Sequence, residues 1–247
     1  MTRSEYILKL LSQAEKIDVN TLSEKLGVSK VTVRKDLDKL EEKGLLRREH
    51  GYAVLNSGDN INVRLSFNYD IKKKIAAAAA RLVSDNDTII IESGSTCALL
   101  AEIICQNRRG VTIITNSYFI ADYVRSYDSC KIILLGGEYQ KHSQVTVGPL
   151  LKEMLAYFRV SYAFVGADGF DEGLGFTGKD LMRSEAVARM SEAADKTIIL
   201  TDSSKFHHRG TVSQFGLSQI QKVITDDHIP ADKEAILKKQ GIIVEKV

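Results

Sequence analysis

Residues 29–40 read SKVTVRKDLDKL, entered through Leu26-Gly27-Val28 and left through Glu41 to Gly44. Wound at ~3.6 residues per turn, the stretch gathers Val33, Leu37 and Leu40 on one side. Val31, Arg34, Lys35 and Asp38 fall on or near the other, so one face packs and the other is free to read. Ser29 is an N-cap candidate that accepts from an amide one turn in and leaves other first-turn N–H groups for a phosphate. The preceding TLSEKLG, residues 21–27, carries a Thr21-x-x-Glu24 capping box and apolar residues at helical spacing, and it stops at Gly27. The pattern predicts a helix, a tight turn and a second helix.

That is the arrangement of a helix-turn-helix, whose second helix enters the major groove while the first braces it across the backbone. Lys30, Arg34 and Lys35 are placed to neutralise phosphates or to donate to guanine, and Thr32 and the outward Val31 to touch a thymine methyl or a phosphate. Val31 is informative because an apolar side chain opposite the packed stripe has no core partner. A further helix is expected over residues 4–14 with Ile7, Leu8, Leu11 and Ala14 on its apolar face and a Thr2-x-x-Glu5 box at its start. The runs LLRRE and YAVL on either side of His50-Gly51 predict a hairpin, a wing on which Arg47 and Arg48 hold phosphate or probe the minor groove.

The segment GVSKVTVRKDLDKLEEKGLLRREHGYA, residues 27–53, resembles the winged helix-turn-helix signature of the DeoR family of bacterial repressors of sugar metabolism. The family pattern runs Arg-Arg-Asp-Leu and later Gly-Gly-Ala. Here Lys35 stands for the second Arg, keeping the charge but not the bidentate fork, and Tyr52 for the second Gly.

Bulk composition is less telling. The chain has 247 residues, 44% hydrophobic, with 34 basic and 32 acidic side chains, enough for one or two domains with substantial cores. The net charge of +2 does not by itself suggest nucleic acid, so the DNA reading rests on the local clusters Lys30/Arg34/Lys35 and Lys43/Arg47/Arg48. Cys97, Cys105 and Cys130 have no C-x-x-C spacing and read as reduced intracellular thiols, and adjacent His207 and His208 lack the partners a metal site needs. MTRSEYILKLLSQ is too polar for a signal peptide and no apolar run approaches ~18 residues. A soluble cytoplasmic protein without membrane, metal or cofactor is expected.

Asn56 to Asn60 is polar and rich in breakers. The expected division is a winged helix-turn-helix over 1–57, a linker over 58–70 and a second domain over 71–247. In that domain a helix runs through the alanines from Ile71 to Leu82, and apolar runs follow at 88–92, 111–115, 131–135, 162–166, 197–201, 222–225 and 241–245. Helical segments such as 98–105, 118–126 and 184–194 lie between them. Continuous β-branched runs mark strands covered on both faces, hence a Rossmann-like parallel-sheet α/β domain.

In open parallel sheets ligands sit beyond the carboxyl ends of the strands, and the residues following the runs there are small, polar or charged. Gly94 lets backbone approach an anion, and the amides and hydroxyls of Ser95 and Thr96, beside Ser93, can wrap a phosphate with a helix dipole behind them. Lys205 offers a point charge; Asn116 and Asp168 can hydrogen-bond hydroxyls; Gly137 is an effector-binding candidate, or Gly136-Gly137 is merely a tight bend. The G-x-x-x-x-G-K-[ST] loop does not occur in this region, which argues against NTP chemistry.

Here too the chain is similar to the DeoR family: Glu92-Ser93-Gly94-Ser95-Thr96 (with Glu92 for the usual Asp), Ile114-Thr115-Asn116-Ser117, Leu135-Gly136-Gly137 and Asp202-Ser203-Ser204-Lys205 match its effector-domain motifs. Those domains resemble ribose-phosphate isomerase and glucosamine-phosphate deaminase folds. The resemblance implies a phosphorylated sugar cradled by Gly94, Ser95 and Thr96, with Asn116, Asp168 and Lys205 toward the sugar. The expected protein is a repressor of a carbohydrate operon that binds double-stranded operator DNA as a homo-oligomer, at least a dimer. The competing expectation is a phosphosugar isomerase with a DNA-binding appendage. It needs a carboxylate base near the substrate carbon. The related Asp-Gly-Ala-Asp-Glu motif survives only as Val165-Gly166-Ala167-Asp168-Gly169, with Asp171 and Glu172 beyond.

Overall fold

The computed structural model describes residues 3–12, 14, 16–56 and 59–247, and the chain divides into two units, Met1–Phe67 and Asn68–Val247. The first unit runs α1 (Arg3–Ser12), β1 (Ile17–Asp18), α2 (Val19–Leu26), α3 (Lys30–Glu42), β2 (Leu46–Glu49), β3 (Tyr52–Leu55) and α4 (Ile61–Ser66). Helix α3 begins where Ser29 Oγ accepts the amide of Thr32 at 3.2 Å, and α2 ends at Gly27 in the left-handed region (φ 64). Val33, Leu37 and Leu40 are buried against Ile7, Leu8, Leu11 and Leu22, roughly 1.5 to 3 kcal/mol for each large side chain removed from water. Asp36, also on the packed side, is buried and accepts the Arg3 guanidinium at 2.9 Å.

Three local features differ from the sequence reading. The Thr21-x-x-Glu24 box does not form, because α2 starts three residues earlier: Asp18 caps it, accepting the amides of Asn20 and Thr21 at 2.8 and 3.1 Å. Strand β1, two residues long, pairs Ile17 with Ala53 and makes the wing three-stranded in the order β1-β3-β2. The stretch 58–70, read as linker, contains α4, capped by Asn60, and Val63 joins the first unit's core. The box at Thr2-x-x-Glu5 lies outside the described residues. The wing's turn is as expected: His50 and Gly51 both have positive φ (49 and 87), the geometry of a two-residue hairpin whose twist matches its strands.

The second unit runs α5 (Tyr69–Ala80), β4 (Thr88–Ile91), α6 (Ser95–Asn107), β5 (Val111–Thr115), α7 (Tyr118–Tyr123), β6 (Cys130–Leu134), β7 (Glu138–Gln140), β8 (Val145–Val147) and α8 (Pro149–Leu155). It continues with β9 (Val160–Val165), β10 (Gly169–Asp171), β11 (Gly175–Gly178), α9 (Leu181–Glu192), β12 (Ala194–Leu200), a 3-10 turn (Ser203–His207), β13 (Val212–Phe215), β14 (Lys222–Thr225), α10 (Ala231–Lys239) and β15 (Ile243–Lys246). Seven strands form one parallel sheet in the order β15-β14-β12-β9-β4-β5-β6, and they are the seven apolar runs of the sequence. Helices cover the five central strands, where Ile90, Ile114, Val165, Ile199 and Val223 share a core with Met190 and Phe176, while the edge strands β6 and β15 leave Leu134 and Ile243 exposed. The alanines of α5 are nearly all buried; a small side chain is what lets this helix lie close to α6.

The chain winds from β4 outward through β5 to β6, then returns to the other side of β4 at β9 and proceeds to β15. The order therefore reverses between β4 and β9, the place where an open α/β sheet leaves a crevice at its carboxyl edge. Two small antiparallel elements, β7-β8 and β10-β11-β13, went unread in the sequence, since three- and four-residue strands carry too little periodicity.

Candidate functional site

On the first unit, the outer face of α3 presents Ser29, Lys30, Val31, Arg34 and Lys35 to solvent, with Thr32 half-buried. Val31 is 60% exposed, on the side of α3 away from its packed stripe. Thr32 Oγ1 and Ser29 Oγ lie 2.9 Å apart at the helix start. A groove of about 460 Å³ separates this face from the wing and is lined by Asp18, Asn20, Arg34, Arg48, His50 and Tyr52. Tyr52 is half covered by Lys16, whose ammonium sits 4.7 Å from the ring centroid, so the bulk added at the wing is held by a cation–π contact.

The two wing arginines differ in what holds them. Arg47 reaches only Glu49 on its own strand, both being solvent-exposed. Arg48 is engaged from three directions: its guanidinium pairs with Asp38 at 2.6 Å and with Glu41 at 2.9 Å, and its amide donates to Glu41 at 2.9 Å. The Arg48 amide and guanidinium lower the Glu41 pKa below the ordinary value. Arg48 thus pins the wing to α3.

On the second unit, the carboxyl edge brings the motifs together. Glu92, 8% exposed, follows β4; its Oε2 accepts the amide of Gly94 at 2.8 Å and that of Gly166 at 3.1 Å, and its Oε1 accepts Ser93 Oγ at 2.8 Å. One side chain therefore joins the loops after β4 and β9 at the point where the strand order reverses. A side chain at Gly94 would push the bridging carboxylate away: a Cβ would stand 2.9 Å from Glu92 Oε2 and 3.7 Å from Cα of Gly166. Ser93, Ser95 and Thr96 are buried, the last two opening the 13-residue helix α6, where first-turn amides have no intrahelical acceptor.

Asn116, on the adjacent strand end, is 2% exposed. Its Nδ2 donates to Thr146 O at 2.9 Å, which sets the amide's orientation, and its Oδ1 is buried without a partner. An unpaired buried acceptor costs about 1 to 3 kcal/mol. Asp168 lies two residues beyond Gly166; its Oδ2 accepts the Lys179 amide at 3.2 Å. Lys205 sits in the 3-10 turn after β12, which Asp202 caps through the Ser204 amide at 3.2 Å. Gly137 is accounted for by packing: at φ 147, a Cβ there would stand 2.3 Å from Val147 O.

Sequence reasoning missed the bridging by Glu92, the locking of Arg48 and the part of Thr146. Their signals are contacts between residues far apart in the chain. Among the described residues there is no group of three or more side chains able to hold a metal ion, and no helix long and apolar enough to cross a membrane.

Comparison with known proteins matches this geometry. Residues 3–58 match the family model of the DeoR-like helix-turn-helix domain and residues 67–227 that of the DeoR C terminal sensor domain. The HTH-type transcriptional regulator UlaR of Shigella dysenteriae serotype 1 is 30% identical over 251 residues, 99% of this chain and 98% of that one. A protein named as a repressor of the aga operon of Escherichia coli O157:H7 is 29% identical over 248 residues, 98% of this chain and 92% of that one. The ribose 5-phosphate isomerase A of Methanocaldococcus jannaschii is 24% identical over 56% of this chain and 55% of that one, with a TM-score of 0.42, a partial overlap only. With a winged helix-turn-helix in one unit and a parallel-sheet domain in the other, matched over residues 3–58 and 67–227, the chain belongs to the DeoR family of transcriptional regulators.

Proposed function

We propose that the protein represses a carbohydrate operon and that a phosphorylated sugar, binding at the carboxyl edge of the sheet beside the joined β4 and β9 loops, changes its grip on the operator. The observation that carries this reading is the unpaired Oδ1 of Asn116 at the carboxyl edge, an acceptor that calls for a hydroxyl donor. On the next strand, the first turn of α6, with Ser95 and Thr96, supplies N–H groups and a helix dipole suited to a phosphate. A polyol phosphate has both groups. Ser93 and Gly94 shape this cradle, with Asp168 and Lys205 on the sugar side and Gly137 holding the β6 loop in place.

On DNA, Ser29, Lys30, Val31, Thr32, Arg34 and Lys35 form the groove-reading face, Arg47 contacts phosphate from the wing, and Arg48 sets the wing's pose. A homodimer, or a higher oligomer, facing a near-palindromic site in the cytoplasm is the simplest geometry for such a module.

The isomerase reading finds less support. Asp168 is occupied by the Lys179 amide. Asp171 takes the amides of Leu174 and Gly173, which together with Arg209 and Lys233 lower its pKa, and a lowered carboxyl pKa makes a weaker base. Glu172 is paired with Lys233. The test is a thermal-shift screen of sugar phosphates on the pure protein: at ~100-fold above Kd, binding adds ~2.7 kcal/mol to the folded state. Hits are then titrated against protein bound to operator DNA. Turnover of a hit would favour the isomerase, and a hit without effect on operator binding would reject the regulatory coupling.

A further inference from the structure

Asn68 is the first residue of the second unit. It opens α5 in the left-handed conformation (φ 53, ψ 35) and gives no side-chain cap to its own helix. Its Nδ2 donates instead to Oδ1 of Asp202 at 3.2 Å, across 134 positions of sequence. Asp202 is buried, and the same oxygen accepts the amide and the hydroxyl of Ser204. It thereby builds the turn that carries Lys205. From the neighbouring strand end, Asp226 accepts the amide and hydroxyl of Ser203 at 2.6 and 2.7 Å. The turn is therefore held firmly by β12 and β14, and the residue at the unit boundary is tied to it. Helix α5 also packs against β12, β14 and α6, and α6 is the helix whose first turn holds Ser95 and Thr96.

We propose that Asn68 is the positioning residue that couples the effector pocket to the unit boundary. A ligand that engages Lys205 and the α6 first turn loads the 202–205 turn, and the Asn68–Asp202 hydrogen bond passes that load to the backbone at the start of α5. Asparagine suits the post. It tolerates the left-handed region, and its single bond to a carboxylate is one a small shift of the turn can break or make. Coupling between two sites is a free-energy difference between arrangements, so a residue can carry it without touching either ligand. The inference rests on reading the strand-end crevice as the effector site.

The experiment compares wild type with Asn68→Gly, which keeps the left-handed backbone and removes the amide. Operator affinity is measured with and without saturating inorganic phosphate, ribose 5-phosphate and glucosamine 6-phosphate, and sugar-phosphate affinity is measured on the DNA-free protein. Wild type is expected to change its operator affinity with at least one sugar phosphate. The glycine variant is expected to keep both separate affinities within about twofold and to lose about tenfold of the effector-induced change, a factor that corresponds to ~1.4 kcal/mol of coupling. A variant that responds as fully as wild type overturns the role of Asn68 alone. A wild type unmoved by all three probes overturns the effector reading and this inference with it. Should the glycine variant melt without cooperativity, amide exchange of residues 66–72 in wild type decides: the sugar phosphate that shifts operator binding must alter exchange there, and unaltered exchange rejects the coupling.

Discussion

Glu92 Oε2 accepts the amide of Gly166 at 3.1 Å, a bond between residues 74 positions apart that closes the β4 loop onto the β9 loop. The same carboxyl serves Gly94 and Ser93. It therefore sets the spacing between the α6 first turn and the segment leading to Asp168. Glu92→Ala leaves the buried Ser93 hydroxyl and Gly94 amide and the half-buried Gly166 amide without their acceptor, and each unsatisfied buried group costs about 1 to 3 kcal/mol, so a loss of ~2 kcal/mol or more is expected in urea unfolding. Glu92→Asp, one methylene shorter, is expected to retain one loop and release the other. A loss below ~1 kcal/mol for the alanine variant would show that the bridge is not holding the loops.

The reading face of α3 makes a prediction about affinity without stability. Val31→Asp places a carboxylate on the exposed apolar position and is expected to weaken operator binding while the thermal midpoint stays where it was, since Val31 is mostly exposed and lies outside the unit's core. Arg34→Ala is expected to flatten the dependence of log K on log salt by ~0.9 for each phosphate contact removed. Equal operator affinity for Val31→Asp would take that side chain out of the interface.

For the wing, the prediction is one of pH. The Glu41 pKa is lowered by the amide and guanidinium of Arg48, so the folded state holds Glu41 ionised more strongly than the unfolded chain does. A depressed carboxyl contributes its stability above the unfolded value and loses it as pH falls through the folded one. The stability difference between wild type and Glu41→Gln is therefore expected to be constant from neutral pH down to the ordinary Glu value near 4.5, and to shrink below it. A difference that persists undiminished into the acid range would separate Glu41 from Arg48.

Phe206, the residue after Lys205, is buried between Phe170 and Phe176, with ring centroids at 5.4 and 6.0 Å. Truncating a buried aromatic costs about 3 to 5 kcal/mol, so Phe206→Ala is expected to destabilise the second unit on that scale in calorimetric melting. Because this ring anchors the turn that presents Lys205, sugar-phosphate binding is expected to fall with it. Full effector affinity in a destabilised Phe206→Ala protein would show that the turn does not take part.

Lys205→Ala is expected to weaken effector binding by ~1.5 to 3 kcal/mol, the scale of a hydrogen bond to a charged group, with effector-free operator affinity unchanged. Isothermal titration with the best hit from the screen measures it directly, and equal affinity would remove Lys205 from the phosphate or sugar.

How much of this was legible differs by feature. The seven strands were, because a strand buried on both faces must be apolar along its length, and runs such as 111–115 declare themselves. The α3 face was legible because Val33, Leu37 and Leu40 recur at helical spacing while Val31 breaks the pattern. The α2 start was misplaced because Asp18 and Thr21 are both able to cap, and only the pairing of Ile17 with Ala53 decides between them. Residues 61–66 read as linker because a six-residue helix shows less than two turns of periodicity; what makes it a helix is the burial of Val63 in a core drawn from the rest of the unit.

The sequence by itself determined that this chain would fold as a reading helix with a wing, followed by a parallel sheet with polar strand ends, since those properties follow from periodicity and capping chemistry within a few residues. Only the tertiary structure decided how the polar residues are held: that Glu92 bridges two loops, that Arg48 is locked to α3, that Asn116 keeps one oxygen unpaired, and that Asn68 is tied to Asp202. Hydrogen bonds act over about 3 Å of space, and their partners here lie up to 134 positions apart along the chain, a separation that local pattern does not encode.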